Sequence, residues 1–174
     1  MSAIDYDLKK IKGFAFDVDG VLSPSTIPIG EDGYPRRMVN IKDGFILQLA
    51  LKKGYKIAII TGGKGIGIVD RFKGLGIKDI FINTLEKLPT LKEWMAKERL
   101  KKDEVVYMGD DIPDLPCIQY VDFSAAPFDA CEEIKSRATY ISRCNGGEGC
   151  VRDVMQEVMK AQNLWLSEPS DYIW

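Results

Sequence analysis

Two clusters of aspartate dominate the chemistry that this 174-residue chain could perform. Asp17-Val18-Asp19-Gly20 follows the apolar run Gly13-Phe14-Ala15-Phe16, and Gly109-Asp110-Asp111-Ile112-Pro113-Asp114 follows Val105-Val106-Tyr107-Met108. A third polar break, Thr61-Gly62, follows Lys56-Ile57-Ala58-Ile59-Ile60. Each apolar run reads as a buried strand, and ligands of a parallel sheet bind outside the carboxyl ends of its strands. Taken singly, such aspartates serve as turn formers and helix caps. Taken together, that much negative charge in one cleft repels itself unless a cation sits there. Oxygen-only donors select a hard ion, Mg²⁺, over zinc.

Composition removes most competing chemistries. The chain has no histidine, which excludes Ser-His-Asp and Cys-His nucleophiles, imidazole acid–base work and His-ligated metals. Cys117, Cys131, Cys144 and Cys150 form no C-x-x-C pair. With no signal-like N-terminal stretch, they are expected to be reduced thiols of a cytoplasmic protein. Lys plus Arg total 24 and Asp plus Glu total 26, so no basic excess points to nucleic acid or an anionic membrane. No stretch reaches the roughly 20 apolar residues of a membrane span.

The elements that must position these residues alternate regularly. Strands are expected at 13–16, 56–60, 79–82, 105–108 and 122–125. Between and after them, helical spacing is carried by Phe45, Ile46, Leu49 and Ala50, by Ile66, Val69 and Phe72, and by Leu91, Trp94 and Met95. Two further helices are expected over 128–135 and 151–162. Continuous apolar strands separated by helices imply one α/β domain over 1–174, a Rossmann-like parallel sheet with helices on both faces. One segment breaks the rhythm. Residues 26–39, with Glu31-Asp32-Gly33 between apolar arms and prolines in both, read as a projecting β-hairpin. Its Ile27, Ile29, Met38 and Val39 need a partner surface. Gly62-Gly63-Lys64-Gly65-Ile66-Gly67 lacks the full phosphate-loop pattern and reads as a turn into a helix, with Lys64 near the substrate.

Phe16-Asp17-Val18-Asp19-Gly20-Val21-Leu22, Ile60-Thr61-Gly62, Lys87 and Gly109-Asp110-Asp111-Ile112-Pro113-Asp114 resemble, in order, the four motifs of the haloacid dehalogenase superfamily. The resemblance runs from about residue 11 to about residue 159. It implies that Asp17 is a nucleophile toward phosphorus and that Asp19 is the acid and base, its proton held by the neighbouring carboxylates. It also implies Mg²⁺ on Asp17, the Asp19 backbone carbonyl and Asp110, with Asp111 and Asp114 nearby. Thr61, Gly62 and Lys87 would hold the phosphoryl oxygens. Lys87 sits at the expected start of a helix, where the macrodipole disfavours a cation, so a bound phosphoryl group is the expected compensating anion.

The gaps between motifs leave no room for a cap domain. Among capless members the chain resembles the phosphatases of 3-deoxy-D-manno-octulosonate 8-phosphate, which act in lipopolysaccharide synthesis. That resemblance rests on the hairpin, on Val39-Asn40-Ile41-Lys42-Asp43-Gly44, and on the late Asn145-Gly146-Gly147-Glu148-Gly149 turn. It implies a small sugar-acid phosphate as substrate, with Asp43, Gly44 and Lys64 among its contacts. It also implies a homo-oligomer, a tetramer, whose tail over 163–174 reaches a neighbouring site. The chain departs from that group at Gly63, where the group has arginine after Thr-Gly, and at Asn83-Thr84. Lys64, Arg36 and Arg37 are then the candidates to meet the substrate's carboxylate. Two alternatives remain. A nine-carbon sugar-acid phosphate is one. The other is a receiver-like phospho-Asp module, although receivers place their acid pair first and their lysine last.

Overall fold

β1 (Gly13–Phe16) is buried at every position, as a central parallel strand covered on both faces must be. The computed structural model describes residues 4–174. β1 is flanked on one side by β2 (Lys56–Ile60) and β3 (Asp79–Phe81), and on the other by β4 (Val105–Met108), β5 (Phe123–Ala126) and β6 (Tyr140–Ile141). The six strands run in the order β3-β2-β1-β4-β5-β6, all parallel. Phe16 registers with Ile59 and Met108, so Asp17, Thr61 and Asp110 emerge along one rim.

Alternation along each strand divides the core. Phe14, Phe16, Ile57, Ile59, Val106 and Met108 face α1 (Ile41–Lys52), α2 (Ile66–Gly74) and α6 (Cys150–Ala161). Ala15, Ala58, Ile60, Val105 and Tyr107 face α3 (Lys87–Glu98), α4 (Leu115–Tyr120) and α5 (Glu132–Lys135). Small residues on the second face let Trp94 lie flat against the sheet, 1% exposed. No helix among the described residues is long and apolar enough to cross a membrane.

Three local expectations differ from the structure. The helix expected over 128–135 is confined to Glu132–Lys135, and Phe128 lies outside it on the surface. α4 and β6 had no readable periodicity, because six residues and two residues are too short to show one. The tail over 163–174 is held against its own domain, with Tyr172, Ile173 and Trp174 exposed. Leu164, Trp165 and Leu166 pack on the core, and Trp174 meets Phe45 edge-on at 5.5 Å between ring centroids. Asp171 accepts from the buried Lys53 at 2.9 Å, and Lys52 donates to the Ile173 carbonyl at 2.8 Å. The tail is therefore a strap over α1 and α6 of its own domain.

The hairpin is present but short. Ile29 and Pro35 form a bridge, Gly30 donates to the Tyr34 carbonyl and Arg36 to that of Pro28, each at 2.8 Å. Ile29 (66%), Tyr34 (65%) and Met38 (58%) remain exposed on the chain itself.

Truncation after Gln162 is expected to lower the urea stability by about 2–4 kcal/mol, from the apolar area of Leu164, Trp165 and Leu166 returned to water. Unchanged stability in the truncated chain would contradict a tail docked on its own domain.

Candidate active site

Asp17 is the first residue beyond β1, its N–H donating to the Met108 carbonyl at 3.1 Å. Its side chain is buried and its Oδ2 lies 3.0 Å from Lys87 Nζ. Lys87 opens α3 and is itself only 5% exposed; its second partner is Asp114 Oδ1, at 2.7 Å. The anion that a lysine at a helix N-terminus requires is thus supplied by two aspartates of the protein. Burial alone would lower the Lys87 pKa, but Asp114 and Asp17 outweigh it and push it up.

Asp114 is the most fully engaged carboxylate. Besides Lys87 it accepts from Tyr107 Oη at 2.5 Å and from the backbone N–H groups of Asp110 and Asp111 at 3.2 and 3.4 Å. Burial first, and Asp114 second, keep the Tyr107 hydroxyl protonated and available as that donor. Tyr107 was not singled out from the sequence. The only signal was one hydroxyl in an otherwise apolar strand. Asp111 itself is exposed at the edge of the cleft.

Carboxylate oxygens of Asp17, Asp110 and Asp114 lie within 4.8 Å of one another. Desolvation, then repulsion from Asp114, raises the Asp17 pKa to about 7 against the pull of Lys87. Desolvation, then Asp114 and Asp17, raises Asp110 to about 8. The ionised cluster with Lys87 carries two net negative charges, which one divalent cation neutralises. The oxygen-only donor set fits Mg²⁺. Gly20 (φ +86°) makes the approach possible, since a Cβ there would lie 1.9 Å from Asp110 Oδ2. Asp114, expected nearby, is part of the cluster itself. Its oxygens are largely occupied by Lys87, Tyr107 and backbone donors.

Asp19 sits apart from this group. Both its oxygens are taken by Arg37 of the hairpin, Nε at 2.6 Å and Nη2 at 2.8 Å. The partner of Asp19 is thus a cation, where the neighbouring carboxylates were expected. Thr61 is buried; its Oγ1 accepts from the Gly63 N–H at 3.0 Å. Thr61, Gly62, Gly63, Thr84 and Lys87 line a cleft of about 370 Å³ with the aspartates. Lys64, Arg36 and Arg37 line an adjoining groove of about 480 Å³ between the hairpin and α2.

Asp43 and Gly44 are not in the cleft. They lie in the first turn of α1, where Asp43 Oδ1 accepts from the Arg152 N–H at 2.9 Å and Gly44 packs against the Arg71 guanidinium. Burial raises Asp43 to about 6, partly offset by that bond and by the Arg152 charge. The Val39–Gly44 segment and the late glycine turn meet each other. Asn40 caps α1 and donates to the Gly147 carbonyl at 3.1 Å, and Gly147 donates to that of Val21 at 2.8 Å.

Residues 73–154 match the sequence profile of the haloacid dehalogenase-like hydrolases. Over 154 residues, 88% of this chain, it is 35% identical to the 3-deoxy-D-manno-octulosonate 8-phosphate phosphatase of Escherichia coli strain K12, covering 82% of that protein. The chain belongs to the haloacid dehalogenase-like hydrolases. The crystal structure of the Moraxella catarrhalis 3-deoxy-D-manno-octulosonate 8-phosphate phosphatase, in complex with magnesium, phosphate and KDO, superposes with a TM-score of 0.87 at 34% identity, covering 91% of each chain. The cobalt-bound deoxy-D-mannose-octulosonate 8-phosphate phosphatase of Haemophilus influenzae gives 0.86 at 27% identity, covering 90% of this chain and 92% of that one. The family relationship accounts for the shared sheet and for the four motifs along one rim.

Raised carboxylate pKa values have a stability consequence in this hydrolase. Between about pH 5 and 8 the metal-free fold binds protons on Asp17 and Asp110 that the unfolded chain has already released. Stability of the metal-free protein should therefore fall as pH rises through this window. Millimolar Mg²⁺ should remove that slope and raise the melting temperature most at pH 8. Thermal melts with EDTA and with Mg²⁺ at several pH values check this; an Mg²⁺ effect independent of pH contradicts it.

Proposed function

We propose that this chain is a Mg²⁺-dependent phosphomonoesterase that works through an aspartyl-phosphate on Asp17. One observation carries the reading. Asp17 is the strand-end carboxylate that borders the cleft, touches the buried ammonium of Lys87 and shares a cation-sized space with Asp110. A carboxylate is a weak nucleophile, but phosphoryl transfer asks mainly for in-line positioning and charge neutralisation. Asp17 attacks phosphorus, the ester P–O bond breaks, and Asp19 gives the departing alkoxide its proton. Asp19 then takes a proton from water, which attacks the acyl phosphate and frees Asp17 and inorganic phosphate. Thr61, Gly62 and Lys87 hold the phosphoryl oxygens. Asp114, with Tyr107, keeps Lys87 aimed at Asp17. Asp17, Asp110 and the Asp19 carbonyl would hold Mg²⁺, whose charge would neutralise that of the phosphoryl group.

The substrate we propose is 3-deoxy-D-manno-octulosonate 8-phosphate, a step in lipopolysaccharide synthesis. The 35% identity to the Escherichia coli enzyme and the likeness to the Moraxella protein that holds phosphate and KDO support it. The four free cysteines suit a cytoplasmic setting. The exposed Ile29, Tyr34 and Met38 of the hairpin support assembly into a homotetramer.

In purified protein, Asp17→Asn should lower turnover by about 10³-fold or more while leaving the fold intact. Asp19→Asn should lower it by about 10²–10⁴-fold. Phosphate release across eight-carbon and nine-carbon sugar-acid phosphates and neutral sugar phosphates decides the substrate. Near-normal turnover by Asp17→Asn would sink the mechanism, and a preference for the nine-carbon ester would move the assignment.

A further inference from the structure

We propose that Arg37 is a specificity-determining residue that exchanges partners: in the empty site its guanidinium fork closes on Asp19, and a carboxylate on the substrate's leaving group draws it away and frees Asp19. This rests on the phosphatase reading above, since it concerns how Asp19 becomes available for proton transfer.

Three observations support the exchange. First, both Asp19 oxygens are occupied by Arg37, at 2.6 and 2.8 Å. With the fork closed a guanidinium lies against both oxygens, and opening it exposes them to a leaving group. Second, Arg37 has a berth made for it. A Cβ at Gly63 would stand 2.6 Å from Arg37 Nη2 and 3.2 Å from its Cζ, so any side chain at 63 would push the guanidinium from its place beside Thr61. The arginine expected in the loop after Thr61-Gly62 is missing, and a guanidinium from the hairpin occupies the space. Third, the groove that Arg37 borders is short of anions. Arg36 is tied to Asp32 at 2.6 Å, but Lys64 and Arg71 form no ion pair among the described residues. A leaving group with a carboxylate therefore meets Arg37 together with Lys64. One with none leaves Arg37 on Asp19.

The physical consequence is a penalty on the wrong substrate. When the competent state is a fraction of the population, apparent efficiency falls by that fraction, and a ligand that binds the released arginine removes the penalty. The hairpin carrying Arg37 is suited to such movement. It is pinned by two backbone hydrogen bonds between its arms and leaves its apolar side chains in solvent.

The test uses the full chain with Mg²⁺ and two esters, octulosonate 8-phosphate and glucose 6-phosphate, which lacks a carboxylate. Arg37→Ala should raise KM for the sugar-acid ester by about tenfold, the loss of one charge-assisted fork. It should raise kcat/KM for glucose 6-phosphate by roughly two- to fivefold, because the closed state is gone. Gly63→Ala, which crowds the berth, should shift both esters in the same directions. Gly63→Arg placed on Arg37→Ala should restore the preference, returning a guanidinium to the same place. Equal losses on both esters would overturn the exchange, since they mean that Arg37 contacts the phosphoryl group or merely holds the loop. An unchanged ratio would overturn it too. If the wild type releases phosphate from neither ester, the phosphatase reading fails first and the exchange falls with it. Arg37→Gln gives the same comparison should Arg37→Ala fold poorly.

Discussion

Burying like charges is the constraint on which this structure turns. Carboxylates of Asp17, Asp110 and Asp114 converge within 4.8 Å on the rim of a dry sheet, and Lys87 is the cation that makes this tolerable. Each unit charge removed from water costs several kcal/mol unless paired and hydrogen-bonded. The rest of the rim supplies those bonds: Tyr107 from within β4, two backbone N–H groups from the loop after it, and Lys87 from the start of α3. The parallel register is what brings these contributors together, because Phe16 and Met108 end level and deliver both aspartate loops to one edge. One lysine cannot neutralise the whole group. Charge left over in the interior favours either protons or a divalent ion, and the same imbalance that strains the metal-free fold makes it receptive to Mg²⁺.

Much of this was legible in the sequence, for a physical reason. Strands buried on both faces must be continuously apolar, so Phe16-Asp17, Ile60-Thr61 and Met108-Gly109-Asp110 mark where the sheet stops and the cleft begins. What stayed hidden was direction. Nothing in the spacing tells whether Asp19 faces Asp17 or the hairpin, and the structure turns it to Arg37. Nor does spacing distinguish a segment that touches substrate from one that supports the residues that do. Asn40 to Gly44 and the turn around Gly147 look like site motifs, yet Asn40 bonds to Gly147 and Gly147 to Val21. Their place in the chain follows from holding the loop beyond Asp17, a second layer that sequence patterning alone merges with the first.

Gly63 leaves room beside Thr61 for a side chain from elsewhere in the chain. The position faces the cleft beside Thr61, and a side chain there would collide with Arg37. The absence of a side chain at 63 and the placing of the Arg37 fork are two parts of one arrangement. A charge carried on an α/β loop is fixed by the strand before it, whereas a charge on the hairpin moves with the hairpin. The Arg37 fork ties the geometry of Asp19 to a segment whose Ile29, Tyr34 and Met38 still present apolar surface to solvent. Whatever covers that surface also restrains Arg37, and through it Asp19.

Docking of the tail bears on the same loop through α1 and α6. Lys53, largely buried beneath residues 168–171, pairs with Asp171, and Trp165 lies under the Arg152 guanidinium at 5.4 Å. Arg152 belongs to the first turn of α6, where its N–H donates to Asp43 Oδ1 and the Cys150 thiol donates to the Val21 carbonyl at 3.2 Å. The strap thus presses α1 and α6 together where both buttress the loop after Asp17. An open cleft with no cap gains no rigidity from above. Here the loop beyond Asp17 rests on α1 and α6, and the tail packs against both helices.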